Sequence, residues 1–169
     1  MIRSILLVAA LMLAASGAGA ATAPKVSIAS TAQLSTPLPY PYDEQANADA
    51  AVAQAKTRAL ATHKLLLIDL GGNWCPDCRV LAGVIALPEV KAFVDEHYVV
   101  VTVDVGRFDR NLQIPAAYGL TGRLDGVPSL LVVEPGANRL LDRGHVSALS
   151  DARTMTPQSL ADFLARWTQ

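Results

Sequence analysis

Cys75 and Cys78 are the only cysteines of the chain, and Pro76-Asp77 separates them in the stretch Gly71-Gly72-Asn73-Trp74-Cys75-Pro76-Asp77-Cys78. A pair so spaced can close a small disulfide, supply half of a metal site, or exchange disulfides with other thiols. A bridge between them closes a tiny loop and constrains the unfolded chain little, so stability is a poor reason for the pair. A thiol attacks as its thiolate. Cys75 follows an apolar run and precedes Pro76, a favoured first helical residue, so it is expected at a helix N-terminus. There unpaired N–H groups and the helix dipole favour an anion. Cys78 lies one turn on and is expected to face inward. The spacing makes the sulfurs unequal, Cys75 exposed and nucleophilic, Cys78 shielded and resolving. Asp77 places a negative charge beside Cys75, which should raise its pKa and weaken the thiolate.

Two further places carry chemistry. Asp69 stands inside the apolar run "LLLIDL", residues 65–70. An ionised, unpaired acid within a buried strand costs several kcal/mol, so burial should raise its pKa until it can take and return a proton. The alternative is a strand-end carboxylate, paired or solvated. In "DGVPS", Val127-Pro128 opens a strand. A proline there lacks a backbone donor, and a bend at it leaves Val127 backbone groups to pair with an extended peptide.

The elements that must position these residues follow from pattern. Residues 65–70 and 98–105 read as buried strands, the second rich in β-branched residues. Between them, Val80, Leu81, Val84 and Ile85 form one buried helical stripe after Pro76, and a second short helix runs from Pro88 to near His97. Residues 43–62 are Ala-rich, free of Gly and Pro, and read as a surface helix. Residues 106–126 form a long polar connection with a helix-like piece at "NLQIPAAYGL". "SLLVVE" and "RLLDR" flank "PGAN" and make a hairpin. Thr156 caps a last helix that Pro157 opens, with Leu160, Phe163, Leu164 and Trp167 on one face. "KVSIA", residues 25–29, reads as a short strand. The expectation is an α/β domain with a central mixed β-sheet and flanking helices.

Taken together, the strand bearing Asp69, Trp74-Cys75-x-x-Cys78, the Tyr118-Gly119 pair and Gly126-Val127-Pro128-Ser129 before a hairpin resemble the thioredoxin family from about Lys64 to Trp167. The Ala-rich helix before them resembles its exported members. The resemblance implies a thioredoxin-like fold, Cys75 as nucleophile, Cys78 as resolving thiol, Asp69 as buried proton relay and Pro128 as a cis-proline. It also implies a substrate-docking surface at Trp74, Pro76, Asp77, Val127 and Pro128. The chain departs from thioredoxin itself in its Pro-Asp dipeptide, in Gly71 where thioredoxin has an aromatic, and in Val100 where thioredoxin has a lysine near the buried acid.

Bulk features limit the remaining classes. The chain has 169 residues, is 51% hydrophobic and carries a formal net charge of −1. No basic run offers counterion release, which argues against nucleic acid. "MIRSILLVAALMLAASGAGA" combines Arg3, a short apolar run and Ala18-Gly19-Ala20, the three parts of a secretory signal, and the run is too short to span a bilayer. The expected organisation is a signal peptide at 1–20, an extended leader at 21–42 and a thioredoxin-like domain at 43–169, in a periplasmic or secreted protein with no stable membrane insertion after cleavage. His63, His97 and His145 lack metal-motif spacing to the cysteines, so no metal is expected, and Arg79 excludes a C-x-x-C-H haem site. Copper handling by the cysteines with His145, and a redox-inert binding module built on the Pro128 groove, are the competing readings. The favoured one is a thiol–disulfide oxidoreductase, reducing or isomerising rather than strongly oxidising. It needs no bound cofactor beyond its own cysteine pair. Its partners are substrate proteins with disulfides or thiols and an upstream thiol redox protein. "DVGRFDRN", 104–111, reads as a solvated loop with local ion pairs, and Tyr118 as a packing residue.

Overall fold

The computed structural model describes residues 20–168. The signal peptide read at 1–20 falls, Ala20 apart, outside the described residues.

The organising element is strand β1 (Leu65–Gly71). Leu66, Leu67, Ile68 and Leu70 are fully buried. At roughly 2 kcal/mol each, their burial outweighs the cost of enclosing the single carboxyl of Asp69 among them. β1 pairs in parallel with β2 (Tyr98–Asp104) and antiparallel with β3 (Ser129–Glu134), and β3 pairs antiparallel with the short β4 (Arg139–Leu140). The order is β2-β1-β3-β4, a mixed sheet with β1 inside it. Helices α2 (Pro76–Ile85) and α3 (Pro88–His97) form the crossover from β1 to β2, as parallel neighbours require.

Alternation along β1 divides the core in two. Leu67 joins the side chains of α2, α3 and α5 (Pro157–Ala165) on one face. Leu66, Ile68 and Leu70 join α1 (Ala48–Thr62), the short α4 (Gln113–Ala116) and the loops before β3 on the other. Both faces are therefore covered, and the α/β thioredoxin-like expectation holds.

Several local expectations change. Residues 25–29 form no strand, because their N–H groups go to side chains: Val26 donates to Gln158 Oε1 at 2.9 Å and Ser27 to Glu89 Oε1 at 2.7 Å. The first helix begins at Ala48 rather than Asp43, since Asn47 Oδ1 caps it at Ala50 N. Asp43 instead closes a turn of its own, accepting from Gln45 N at 2.9 Å. The second hairpin strand stops at Leu140 because Asp142 Oδ1 takes the Val132 N–H, at 3.0 Å, that a longer ladder would have used. The last helix ends at Ala165, leaving Trp167 beyond it, edge-on to Phe163.

Residues 21–42 hold no strand or α-helix, but they are not extended throughout, since Ser30 caps a 3-10 turn at Thr31–Gln33, and they are no tether. Leu34 is buried in the α2-side core, with Val26, Ile28 and Leu38 packed against it. Arg79 on α2 donates to Pro39 O at 3.1 Å and to Leu38 O at 2.8 Å, and its guanidinium lies 3.8 Å from the Tyr40 ring centre. Among the described residues no helix is long and apolar enough to cross a membrane.

Candidate active site

β1 ends at Gly71, and the chain turns through Gly72-Asn73-Trp74 into α2. Cys75 is the N-cap of that helix, with extended backbone (φ −88°, ψ 115°), and its sulfur accepts the Cys78 N–H at 3.2 Å. Pro76 occupies the first turn, where a missing N–H costs nothing. The expected helix N-terminus is thus present, and the sulfur itself does the capping.

Cys75 is only 3% exposed, which corrects the expectation of an exposed nucleophile. The loop before β3 covers it, and its thiol donates to Val127 O at 3.3 Å. The Val127–Pro128 peptide bond is cis. Cys78 is fully buried, and both cysteines are free thiols.

The two sulfurs differ as their surroundings dictate. The hydrogen bond from the Cys78 thiol, assisted by the Cys78 and Asp77 N–H groups, outweighs burial and the Asp77 charge and brings Cys75 down to about 7. Cys78 is driven far up, first by donating to Cys75, then by burial, then by the charges on Cys75 and Asp69. Asp77 therefore opposes the thiolate, as its sign requires, but does not decide the outcome. Its carboxylate is buried and turned to the 3-10 turn Ala152–Thr154, accepting Arg153 N at 2.9 Å and Arg153 Nε at 3.1 Å.

Asp69 is 2% exposed, in register with Thr102 of β2 and Leu130 of β3. Burial lifts its carboxyl from 3.8 to about 7, against the lowering effect of a hydrogen bond from Tyr42. The strand-end, solvated alternative is excluded. No cation meets Asp69 from β2. Val100 pairs with Leu67, and Thr102 turns its hydroxyl to Pro41 O at 2.9 Å. The partner is Tyr42, whose hydroxyl donates to Asp69 Oδ1 at 2.9 Å. Sequence reasoning missed it, since Tyr42 lies 27 residues away in a stretch read as leader. The available signal was Gly71: a Cβ there would run into the Tyr42 hydroxyl and come within 2.8 Å of Cys78 Sγ. The bare glycine makes room for the tyrosine.

Trp74 is 39% exposed beside the cysteines. Its indole N–H donates to Gly106 O at 2.7 Å, Arg107 lies over the ring at 4.6 Å, and Phe108 meets it edge-on. The 104–111 loop is therefore more than a solvated surface: it seats Trp74. Within it Asp104 is buried and paired with Arg110 at 3.1 Å. Tyr118 packs in the α1-side core, as expected. His63 and His97 precede β1 and β2, at the sheet end opposite Cys75, and His145 packs on Trp167. Among the described residues no three His, Cys, Asp or Glu side chains are grouped to hold a metal.

A mixed sheet, a cysteine capping the helix after its central strand, a second cysteine one turn on and a cis-proline facing the pair define a thioredoxin-like protein. The thioredoxin-like family model matches residues 46–135, and the chain belongs to that family. It is similar to a solved structure described as a disulphide isomerase from Xylella fastidiosa Temecula1, at 38% identity over 76% of this chain and 97% of that one, with a TM-score of 0.69. A protein of unknown function from Pseudomonas aeruginosa matches at 20% identity over 72% of this chain and 84% of that one, with a TM-score of 0.39. No curated protein matches the chain.

Proposed function

We propose that this protein is an exported thiol–disulfide oxidoreductase that reduces or isomerises disulfides of other proteins. The observation that carries the proposal is the Cys75 sulfur at the α2 N-cap, held by the Cys78 N–H at 3.2 Å and poised to ionise near neutrality. A pKa of about 7 is that of thioredoxin rather than the roughly 3.5 of a strong disulfide donor, which favours the reducing or isomerising direction. The similarity to a structure named a disulphide isomerase supports the same class. Export rests on the Arg3, apolar-run and Ala18-Gly19-Ala20 pattern of the first 20 residues.

In the reducing direction, the Cys75 thiolate attacks one sulfur of a substrate disulfide. A Cys75–substrate disulfide forms, and the other substrate sulfur leaves as thiolate and takes a proton from water. An ionised Cys75 no longer donates to Val127 O, which frees that carbonyl for an N–H of an extended substrate peptide. Trp74 and Pro76, both exposed, and the Val127–Pro128 backbone border the surface on which that peptide lies, whereas Asp77, expected there, is buried against Arg153. With Cys75 bonded to substrate, its charge and its acceptor role are gone, and both effects that it exerts on Cys78 lapse. Cys78 gives its proton to Asp69 and attacks Cys75. The Cys75–Cys78 disulfide forms and the second substrate thiolate leaves. The substrate gains two electrons and the pair loses two. An upstream thiol redox protein restores the dithiol, and the pair itself is the reagent, with no bound cofactor.

The test is reduction of a protein disulfide substrate such as insulin, with dithiothreitol as electron source. Wild type is expected to accelerate it, Cys75→Ser to abolish the acceleration, and Cys78→Ser to accumulate a substrate mixed disulfide. A wild-type rate no faster than dithiothreitol alone, with no trapped adduct, overturns the proposal in favour of a redox-inert binding module.

A further inference from the structure

Tyr42 reaches the cysteine pair from outside the strand–helix unit that carries it. It arrives on the strap formed by residues 38–42, and the strap is fastened close to the site. Tyr42 N donates to Asn73 Oδ1 at 3.1 Å, and Asn73 Nδ2 returns a bond to Tyr42 O at 2.8 Å. Asn73 is two residues before Cys75, so the strap is clipped to the loop that presents the nucleophile. Thr102, in register with Asp69 across the sheet, holds Pro41 O. The Tyr42 side chain is 3% exposed, and its hydroxyl meets Asp69 Oδ1 while facing Cys78 across the bare Cα of Gly71.

We propose that Tyr42 is a positioning residue for the resolving half-reaction: its hydroxyl fixes one oxygen of Asp69 and leaves the other to take the Cys78 proton. The proposal rests on the oxidoreductase reading above and adds to it a residue that acts through Asp69. A phenol so placed stays neutral, since burial and then the charges of Asp69 and Cys78 push its ionisation far up, so it is a donor at every working pH. A donor to a carboxylate favours the charged form, the form that can accept a proton. Burial alone opposes that form. The hydroxyl thus keeps Asp69 ionised, and so able to accept the proton, nearer to neutrality, while the ring fills the space beside Gly71. Only the first of these roles is lost in Tyr42→Phe, which keeps the ring and removes the donor.

The experiment is single turnover of the reduced protein with oxidised glutathione, quenched in acid and resolved by mass spectrometry into dithiol, glutathionylated and disulfide forms. In Tyr42→Phe, glutathionylation at Cys75 is expected to proceed within about twofold of wild type, because the hydroxyl removed bonds Asp69, whereas the Cys75 sulfur bonds Val127 O and Cys78 N. Conversion of the adduct to the internal disulfide is expected to slow about tenfold at pH 7, the usual effect of losing a hydrogen bond to a charged group. Its pH midpoint should move to higher pH. Asp69→Asn should abolish that midpoint, and adding Tyr42→Phe to Asp69→Asn should slow resolution no further. Equal slowing of both steps, or an unmoved pH midpoint in a variant that melts like wild type, makes Tyr42 a packing residue and overturns the proposal. A wild-type protein that forms no glutathione adduct, or never resolves one, overturns the oxidoreductase reading itself.

Discussion

Asp77 stands between the two cysteines in sequence, yet its carboxylate is turned away and gripped by the backbone and side chain of Arg153. Arg153 is the counter-charge that lets an acidic residue sit between the cysteines without keeping Cys75 protonated. The Arg153 side chain is more than half exposed, so solvent screens its effect. Arg153→Gln is expected to raise the Cys75 pKa by less than about one unit. Asp77→Asn is expected to lower it, and the opposite signs check each other when thiolate absorption is titrated in a Cys78→Ala background. The placements of Cys75, Cys78, Asp69 and Pro128 were legible in the sequence because they follow from local order: helix cap, first turn, central strand, strand start. Tyr42 and Arg153 were not. They come from 27 and 76 residues away along the chain, and only the closed fold brings them to Asp69 and Asp77.

Among elements, β1 and α2 were readable because burial and periodicity agree in them. The strap before α1 was not, because it contains no regular structure to recognise: its backbone groups are satisfied one at a time by side chains of the domain. Arg79 alone holds two of its carbonyls and stacks on Tyr40. Arg79→Met keeps the apolar stem on α2 and removes both donors. It is expected to cost about 1–3 kcal/mol in urea unfolding. It should also speed amide exchange at Tyr42, whose N–H is held by Asn73. Unchanged exchange at Tyr42 would mean that Asn73 and Thr102 fasten the strap without help. Sequence composition described residues 21–42 as Pro-rich and extended, which misses the 3-10 turn at Thr31–Gln33 and is silent about the attachment of the strap.

For the whole molecule, the buried acid links chemistry to folding. Asp69 has its carboxyl at about 7 in the fold and near 3.8 when ordinarily solvated. Below pH 4 both states are protonated and the group takes nothing from stability. Between about pH 4 and 7 the unfolded chain ionises first, so stability falls as pH rises. Above 7 the loss is complete, at about 4 kcal/mol. Asp69→Asn is therefore expected to unfold at higher urea than wild type at pH 8, with the gain fading toward pH 4, both proteins being fully reduced. An advantage of equal size at both pH values would show that Asp69 is not carrying a buried charge. The buried acid is held at the expense of the fold, by a sheet whose central strand buries enough aliphatic surface to tolerate it.

Cys75, the proposed nucleophile, is also the residue whose sulfur caps α2. As an anion it gathers the N–H groups at the start of that helix. Bonded to another sulfur, it carries no charge and holds them weakly. Folding and oxidation thus form a closed thermodynamic cycle around one atom: the helix-end stabilisation specific to the dithiol is lost when the disulfide forms. Changes far from the cysteines that slacken the start of α2 shift the pair toward giving electrons away, and changes that tighten it shift the pair toward keeping them. Stability and redox character cannot be adjusted independently in a protein built this way.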